Sequence, residues 1–178
     1  ALPGLARRDP DRYTLMVLNN LLGRGMSSRL FKEVRERRGL AYSVGSSVVR
    51  HSDTGVVVIS AGVGRDNLEE ALRVTLGEVA KLAQEDVGEE ELARARDYSI
   101  GSFRLGLEST MALGQRAGEL LLTMGDIEPI ESVVAKLQAV NADDVQRVAG
   151  RIWQADRTAL AVVGPDLHQE ALLALLAA

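Results

Sequence analysis

Hydrophobic positions in the first third of the chain recur at helical spacing and then switch to alternation. Leucine-rich stripes predict one helix over Asp11–Leu22 and another over Ser28–Arg38. Alternating positions from Tyr42 to Val49 predict a strand, and the β-branched run Val56–Ala61 predicts a second one. Because only a short polar turn separates the two strands, we expect an antiparallel hairpin.

Downstream of the hairpin the pattern is mostly helical. Predicted helices begin near Asp66, Gly88, Ser109, Pro129, Asn141 and Asp166. Asp66 with Glu69, and Asn141 with Asp144, have the spacing of a capping box. One further strand is predicted over Arg157–Val163, closed by a Gly-Pro pair.

Few strands among many helices indicate an α+β fold, in which helices cover one face of an antiparallel sheet. Three strands make a small sheet for this number of helices. We therefore expect further strands to be missing, in particular a first strand before Ala1. The chain also lacks an initiator methionine, so we expect it to be a fragment of a longer protein.

Composition narrows the class of protein. The 178 residues fit a single domain, 1–178, and 46% hydrophobic and 26% charged residues are ordinary for a globular chain. A net charge of −4 argues against nucleic-acid binding. The absence of cysteine and the presence of only two histidines exclude thiolate and three-histidine zinc sites within this chain. No apolar run approaches the roughly 20 residues of a membrane span, and the amino terminus has no signal-peptide pattern.

Charge is distributed unevenly along the chain. Residues 1–65 carry 11 basic and 5 acidic side chains, whereas residues 66–178 carry 10 basic and 20 acidic ones. Such asymmetry is compatible with a face that binds polyanions. The favoured interpretation is that the later helices expose acidic faces to solvent, since the basic residues are spaced periodically rather than in a run.

The stretch richest in candidate chemistry covers residues 23–44, GRGMSSRLFKEVRERRGLAYSV. Its glycine loop would allow close approach of another backbone. Arg35 and Tyr42 lie seven residues apart and could aim at one place, a guanidinium for peptide carbonyls and a phenol for an oxyanion. The alternative is that Arg35 pairs with Glu33 or Glu36 while Tyr42 packs at the strand start. Spacing alone favours that alternative.

The same stretch, followed by SDTGVVVISAGVG, resembles the insulinase, pitrilysin and mitochondrial processing peptidase family of zinc metallopeptidases. The match is to the second, non-zinc domain, and it extends from PGLARRDPDRYTLMVLNNLLG to TALAVVGP. The resemblance implies two similar halves that close around a peptide. One half holds zinc through His-x-x-Glu-His, a motif this sequence lacks, and the other supplies an Arg and Tyr pair.

The resemblance assigns residue roles in this chain. Arg35 and Tyr42 match the catalytic pair that grips the substrate backbone and stabilises the tetrahedral intermediate. The substrate-binding loop corresponds to Gly23, Arg24, Gly25, Met26 and Ser27. We expect no metal site in this chain, with zinc supplied by a partner half in the same or another chain, and a homo- or heterodimeric assembly.

We therefore expect a substrate-gripping domain that completes the active site of a zinc metalloendopeptidase and is inactive alone. The alternative is a non-catalytic structural subunit of the same fold, like the core proteins of a respiratory complex. An unrelated α+β binding module fits the long motif poorly. The peptide substrate and the compartment stay open, with the cytoplasm as the expectation.

Overall fold

The computed structural model describes residues 1–177, which form a three-stranded sheet and seven α-helices. The strands are β1 (Leu2–Pro3), β2 (Ala41–Arg50) and β3 (Gly55–Val63). The helices are α1 (Arg12–Gly23), α2 (Leu68–Gln84), α3 (Glu89–Leu105), α4 (Thr110–Met124), α5 (Ile130–Gln138), α6 (Ala142–Ile152) and α7 (Gln169–Ala177). A π-helix covers Phe31–Glu36, and 3₁₀ turns cover Arg65–Asn67 and Ala155–Arg157.

The predicted hairpin is confirmed as the centre of the sheet. Strands β2 and β3 pair antiparallel with Val48 opposite Val57, and the strand order is β1-β3-β2. Ala41 faces Val63 while Ser43 faces Gly62, so Tyr42 is one extra residue in β2. Tyr42 therefore lies in a β-bulge, a feature that re-aims a side chain and strengthens local twist.

Helix α1 is the central element of the core. Ten of its twelve residues are buried, and it contacts β2 together with α3, α5 and α6. Fully buried leucines from α1, α2, α3 and α5 fill the space above the sheet, among them Leu18, Leu82, Leu92 and Leu137. The α+β class, with helices packed on a small antiparallel sheet, is thus the observed fold.

The predicted strand Arg157–Val163 is wrong. Arg157 ends a 3₁₀ turn and residues 158–163 form no sheet ladder. Only Ala159 makes a strand-like pair: its N–H donates to the Ala1 carbonyl at 2.9 Å, and the Ala1 amino group donates to the Ala159 carbonyl at 2.8 Å. A sheet ladder needs a neighbouring strand along its length. Within the described residues, the amino-terminal segment pairs with 158–163 through Ala1 alone.

A gap separates β3 from the segment 158–163. Its volume is about 330 Å³, and apolar side chains of α2 form its floor. Strand β1 pairs with β3 only at Val56 and Val57, so within residues 1–177 the same edge of β3 has no strand partner from Val58 to Val63. The gap is therefore bounded by backbone on both sides.

Two capping predictions had different outcomes. The Asn141–Asp144 box is present, with the Asp144 N–H donating to Asn141 Oδ1 at 2.8 Å. The Asp66–Glu69 box is wrong, because a 3₁₀ turn carries the chain into α2 and no side chain caps that helix. The turn satisfies its own backbone through i to i+3 hydrogen bonds, which leaves a side-chain cap without a role.

Candidate functional site

Arg35 and Tyr42 meet at one end of the hairpin. The Arg35 guanidinium carbon lies 5.8 Å from the centre of the Tyr42 ring and 5.0 Å from that of Phe31. These distances are typical of a cation over an aromatic face. Tyr42 is 87% exposed, and Arg35 is exposed as well, so both side chains are open to a ligand.

Each of these two residues lies in an element with one extra residue. Arg35 belongs to the π-helix, in which the Arg37 N–H donates to the Lys32 carbonyl at 2.8 Å. Tyr42 is the extra residue of the β2 bulge. Both irregularities are enriched at functional sites, and here they place the guanidinium beside the phenol.

The contacts of the alternative, an Arg35 ion pair with Glu33 or Glu36 and a Tyr42 packed at the strand start, are not observed among the described residues. Glu33 is held by Arg37 and Arg38, and the hydrogen bond from Arg38 lowers the pKa of that carboxyl. Arg35 has no ion pair within residues 1–177. Because Tyr42 is almost fully exposed, it does not pack at the start of the strand. The predicted convergence of the two residues is observed, and their catalytic role stays a prediction.

The paired groups suit recognition of an extended peptide. A guanidinium offers five N–H donors and a phenol one O–H donor, and both groups can donate to a carbonyl oxygen of a peptide. Stacking on Phe31 and Tyr42 limits the motion of Arg35 without using its donors. Donors that are already oriented contribute most when negative charge develops on a carbonyl oxygen.

The glycine loop divides into a buried and an exposed part. Gly23 is buried against β2, and a Cβ there would lie 2.5 Å from the Ser46 Oγ, so this residue serves packing. Residues 24–27 are exposed. Gly25 has φ +90°, which favours glycine, and the Ser28 hydroxyl donates to its carbonyl at 2.7 Å.

Helix α3 forms the other wall beside this loop. A cavity of about 350 Å³ lies between Arg24, Gly25, Met26 and Ser27 on one side and α3, including Tyr98, on the other. The Arg29 guanidinium donates twice to Glu91 at 2.9 Å, which fixes the loop to α3. These hydrogen bonds lower the pKa of Glu91 against the opposing effect of burial.

The described residues contain neither a cluster of metal ligands nor a helix that could span a membrane. Within residues 1–177, no group of three or more His, Cys, Asp and Glu side chains is arranged to hold a metal ion. These residues therefore do not fit a zinc centre. None of the helices in that range has the length and apolar character needed to cross a membrane.

Residues 1–98 match the family model described as the peptidase M16 inactive domain, and this match decides the family of the chain. The chain belongs to the M16 peptidase family. The resemblance inferred from residues 23–44 is thereby confirmed. The matched part of the M16 domain includes the π-helix, the bulge and the whole hairpin.

Relatives and solved structures agree with this assignment. An uncharacterized zinc protease of Streptomyces coelicolor is 40% identical over 170 residues, which is 96% of this chain and 37% of that protein. A peptidase M16 inactive domain from Pseudomonas fluorescens superimposes with a TM-score of 0.79 at 24% identity, covering 87% of this chain and 37% of that one. Complex III2 from Candida albicans, with Inz-5 bound, gives a TM-score of 0.76 at 20% identity, covering 85% and 38%. The M16 domain described here thus spans about 37% of the length of these relatives.

Two features of the site could not be found from the sequence pattern. Tyr98 lies beside the glycine loop, yet the periodicity of α3 gives it no distinction from a surface residue. The Arg29–Glu91 pair joins residues 62 positions apart, so only tertiary structure reveals it. The one sign of this pair in the sequence was the excess of basic residues over positions 24–38, part of which the Arg29–Glu91 pair neutralises.

Proposed function

We propose that this M16 domain grips an extended peptide and completes the active site of a zinc metalloendopeptidase. Residues 1–177 assemble no metal ligands, so we assign the zinc to a second, zinc-binding half, in the same chain or a partner chain, in a homo- or heterodimeric assembly. The single observation that carries the proposal is the exposed, stacked Arg35 and Tyr42 pair. The domain alone is expected to cleave no peptide.

The two residues take different roles in this proposal. The Tyr42 hydroxyl donates to the oxygen of the scissile carbonyl as negative charge builds there. The Arg35 guanidinium holds a neighbouring carbonyl of the substrate and so fixes the register of the peptide. The exposed loop residues Arg24 to Ser27 form a contact surface farther along the peptide.

A second candidate function is supported by the likeness to a chain of Complex III2. In that case the domain is a non-catalytic structural subunit, and the Arg35 and Tyr42 pair has no substrate. The likeness concerns the fold alone, whereas the exposed, stacked Arg35 and Tyr42 pair offers hydrogen-bond donors that suit a peptide substrate. We therefore place the peptidase proposal first.

The test is peptide cleavage by the assembled enzyme, formed from this domain and a zinc-binding half. Tyr42→Phe keeps the ring, and loss of one oxyanion donor typically lowers turnover about 10²–10³-fold. Arg35→Ala is expected to weaken substrate binding as well as turnover. Arg37→Ala is the matched control, because Arg37 is also exposed but is occupied by Glu33.

Two results would contradict the proposal. If both variants cleave peptide at the wild-type rate, Tyr42 and Arg35 have no catalytic role. If activity falls only in proportion to the loss of thermal stability, the two residues have a packing role instead. A wild-type assembly that forms and cleaves no peptide favours the structural subunit. Melting curves of each variant, recorded beside the kinetics, separate these outcomes.

A further inference from the structure

A second cavity, apart from the Arg35 and Tyr42 pair, lies between α1, β2 and α3. Its volume is about 220 Å³, roughly seven times the 30 Å³ that a water molecule occupies in the liquid. Its lining is rich in hydrogen-bonding groups and comprises Met16, Asn19, Asn20, Arg24, Val48, Arg50, Ser99, Ser102 and Phe103. Two arginines and no carboxylate line this cavity, which we call the arginine pocket.

One buried donor at the arginine pocket has no acceptor among the described residues. Arg50 Nε is buried and has no hydrogen-bond partner within residues 1–177. Asn19 is only 4% exposed, and its Oδ1 accepts from the Ser46 hydroxyl at 2.8 Å. Asn19 also lines the pocket, beside Arg50. A buried donor without an acceptor is costly, and in native proteins it usually marks a ligand, ion or water.

The electrostatics of the pocket also favour an anion. Burial, together with the charges of Arg12 and Arg7, lowers the pKa of Arg50. Its one side-chain hydrogen bond runs from Nη2 to the Arg12 carbonyl at 3.1 Å, which orients the guanidinium without neutralising it. Arg24 has no ion pair within residues 1–177. A desolvated guanidinium is stabilised chiefly by an opposing charge.

The donors are already oriented. Arg50 is held by the Arg12 carbonyl, and Asn19 by Ser46. On the opposite wall the Asn20 amide donates to the Ser99 hydroxyl, which donates in turn to the Ala95 carbonyl at 2.6 Å. Groups fixed in this way lose little conformational freedom on binding. Charged guanidinium donors pair best with carboxylate or phosphate oxygens.

We propose that the arginine pocket binds an oxyanion, with the carboxylate of an acidic peptide residue as its ligand. Arg24 connects this pocket to the glycine loop, since it lines both cavities. The oxyanion lies between the side chains of Arg24, Arg50 and Asn19, which all line the pocket. The proposal does not depend on the peptidase role, because binding is measured directly on the 178-residue chain.

The experiment is a titration of the chain with N-acetyl-glutamate amide, followed by calorimetry and by the shift of the thermal midpoint. The uncharged control ligand is N-acetyl-glutamine amide, which has nearly the same shape. We expect saturable binding of the first compound and none of the second. Inorganic phosphate is the third ligand in the experiment. If phosphate binds more tightly than the glutamate compound, a free anion is the source of the oxyanion, and the peptide carboxylate is not.

Variants decide whether the arginine pocket is the site. Arg24→Gln changes an exposed residue and is expected to weaken binding about tenfold without changing the fold; Arg50→Gln removes the buried donor and is expected to abolish binding. Arg73→Gln is the matched control, since it removes one positive charge from α2 far from the pocket lining.

The proposal fails if none of the three compounds binds, or if the glutamine compound binds as well as the glutamate compound. It also fails if Arg24→Gln binds like the wild type. Equal weakening by Arg24→Gln and Arg73→Gln indicates general charge attraction and overturns the pocket assignment. Because Arg24 is exposed, that variant keeps the test valid even where Arg50→Gln does not fold.

Discussion

Gly23 sets the distance between α1 and β2. A Cβ at this position would lie 2.5 Å from Ser46 Oγ and 2.6 Å from the Ser46 backbone nitrogen. Both neighbours are fixed, since Ser46 is in the ladder with β3 and its hydroxyl bonds Asn19. The resemblance assigned Gly23 to the substrate loop, but its position indicates a structural role.

We expect Gly23→Ala to lower the free energy of unfolding by about 1–3 kcal/mol, the usual cost of overpacking a close contact. Gly77→Ala is the matched control, because nothing lies within 4 Å of the Cβ it would add inside α2. That variant is expected to raise stability by about 0.5–1 kcal/mol through helix propensity. Urea denaturation measures both, and an equal change in the two variants would contradict this account of Gly23.

Glu128 is the centre of a polar cluster that joins the start of α1 to the segment before α5. It accepts hydrogen bonds from Tyr13, Arg12, Lys136 and Ser132. Burial opposes ionisation, but the bonds from Lys136, Tyr13 and Arg12 outweigh it and lower the pKa of Glu128 to about 2. Burial and the bond to Glu128 raise the pKa of Tyr13 to about 12.

Glu128 is expected to make the unfolding free energy depend on acid pH. Its folded pKa is about 2 and its usual value is 4.5, so its contribution is complete above pH 4.5 and is lost as the pH falls towards 2. The variant Glu128→Gln has no ionisable carboxyl group at this position, so this contribution to the pH dependence of its stability is absent. The stability difference between wild type and variant is therefore expected to shrink across that interval, and a constant difference in urea denaturation at pH 5, 4 and 3 would contradict it.

At the scale of elements, the gap beside β3 lies between that strand and the segment 158–163. Leu2 is opposite Val57, so Ala1 stands opposite Val58, and on its other side it exchanges two hydrogen bonds with Ala159. A backbone continuing from Ala1 in this register would run along Ile59 to Val63. The open edge of β3 and the carbonyls of 160–163 would then be satisfied together.

We expect a five-residue extension with apolar residues at alternate positions, fused before Ala1, to raise the thermal midpoint by several degrees. It would bury the apolar floor of the gap and pair the β3 edge. An extension of equal length made of glycine and serine is the control. If both extensions give the same midpoint, the gap does not accept a strand.

Local sequence signals explain which elements were predictable. The hairpin, α1 and the Asn141 cap follow from patterns within a few residues, and the structure contains all three. The π-helix and the bulge at Tyr42 each differ from a regular element by one residue, which the apolar spacing over one turn does not reveal. The segment 158–163 has a strand composition, but its pairing depends on a distant neighbour.

For the site, the sequence motif and the resemblance named Arg35 and Tyr42 correctly as neighbours. The seven-residue spacing assumes regular helical turns, whereas a π-helix and a β-bulge place the two residues side by side in the structure. The arginine pocket was not predictable, since it combines residues of three elements, from Met16 to Phe103. No local pattern records that Arg50 ends β2 without an acceptor for its Nε.

At the scale of the whole molecule, the charge asymmetry of the sequence is partly resolved within the fold. Basic residues of the first third pair with acidic ones far along the chain, as in Arg7–Glu119, Arg12–Glu128 and Arg29–Glu91. These pairs hold the later helices to the loop and helix that precede the hairpin. Part of the basic excess of the first third is therefore neutralised by acidic residues of the later helices.

Helix α4 leaves an apolar surface uncovered in the described chain. None of its residues is buried, and Leu122 is 90% exposed beside Leu121, with Met111 at the other end of the helix. Contiguous exposed apolar surface of this kind favours association. We therefore expect the chain to self-associate at high concentration.

Leu122→Glu is expected to reduce that association, because a carboxylate in the contact would have to be desolvated. Light scattering across a concentration series measures it. Gln115→Glu, which adds the same charge to an exposed polar position of α4, is the control. A wild-type chain that stays monomeric throughout the series would contradict the expectation.

Segments that are far apart along the chain lie side by side, and this affects how the domain is made. Ala1 bonds Ala159, and Asp11 near the amino terminus pairs with Arg147, a separation of 136 residues. A ribosome adds roughly 5–20 residues per second, so the amino-terminal segment waits on the order of ten seconds for its partners to be synthesised. During that time β1 is exposed to chaperones and to neighbouring nascent chains. The segment from Ala1 to Asp11 is thus expected to become fixed only after residues 147–159 have been synthesised.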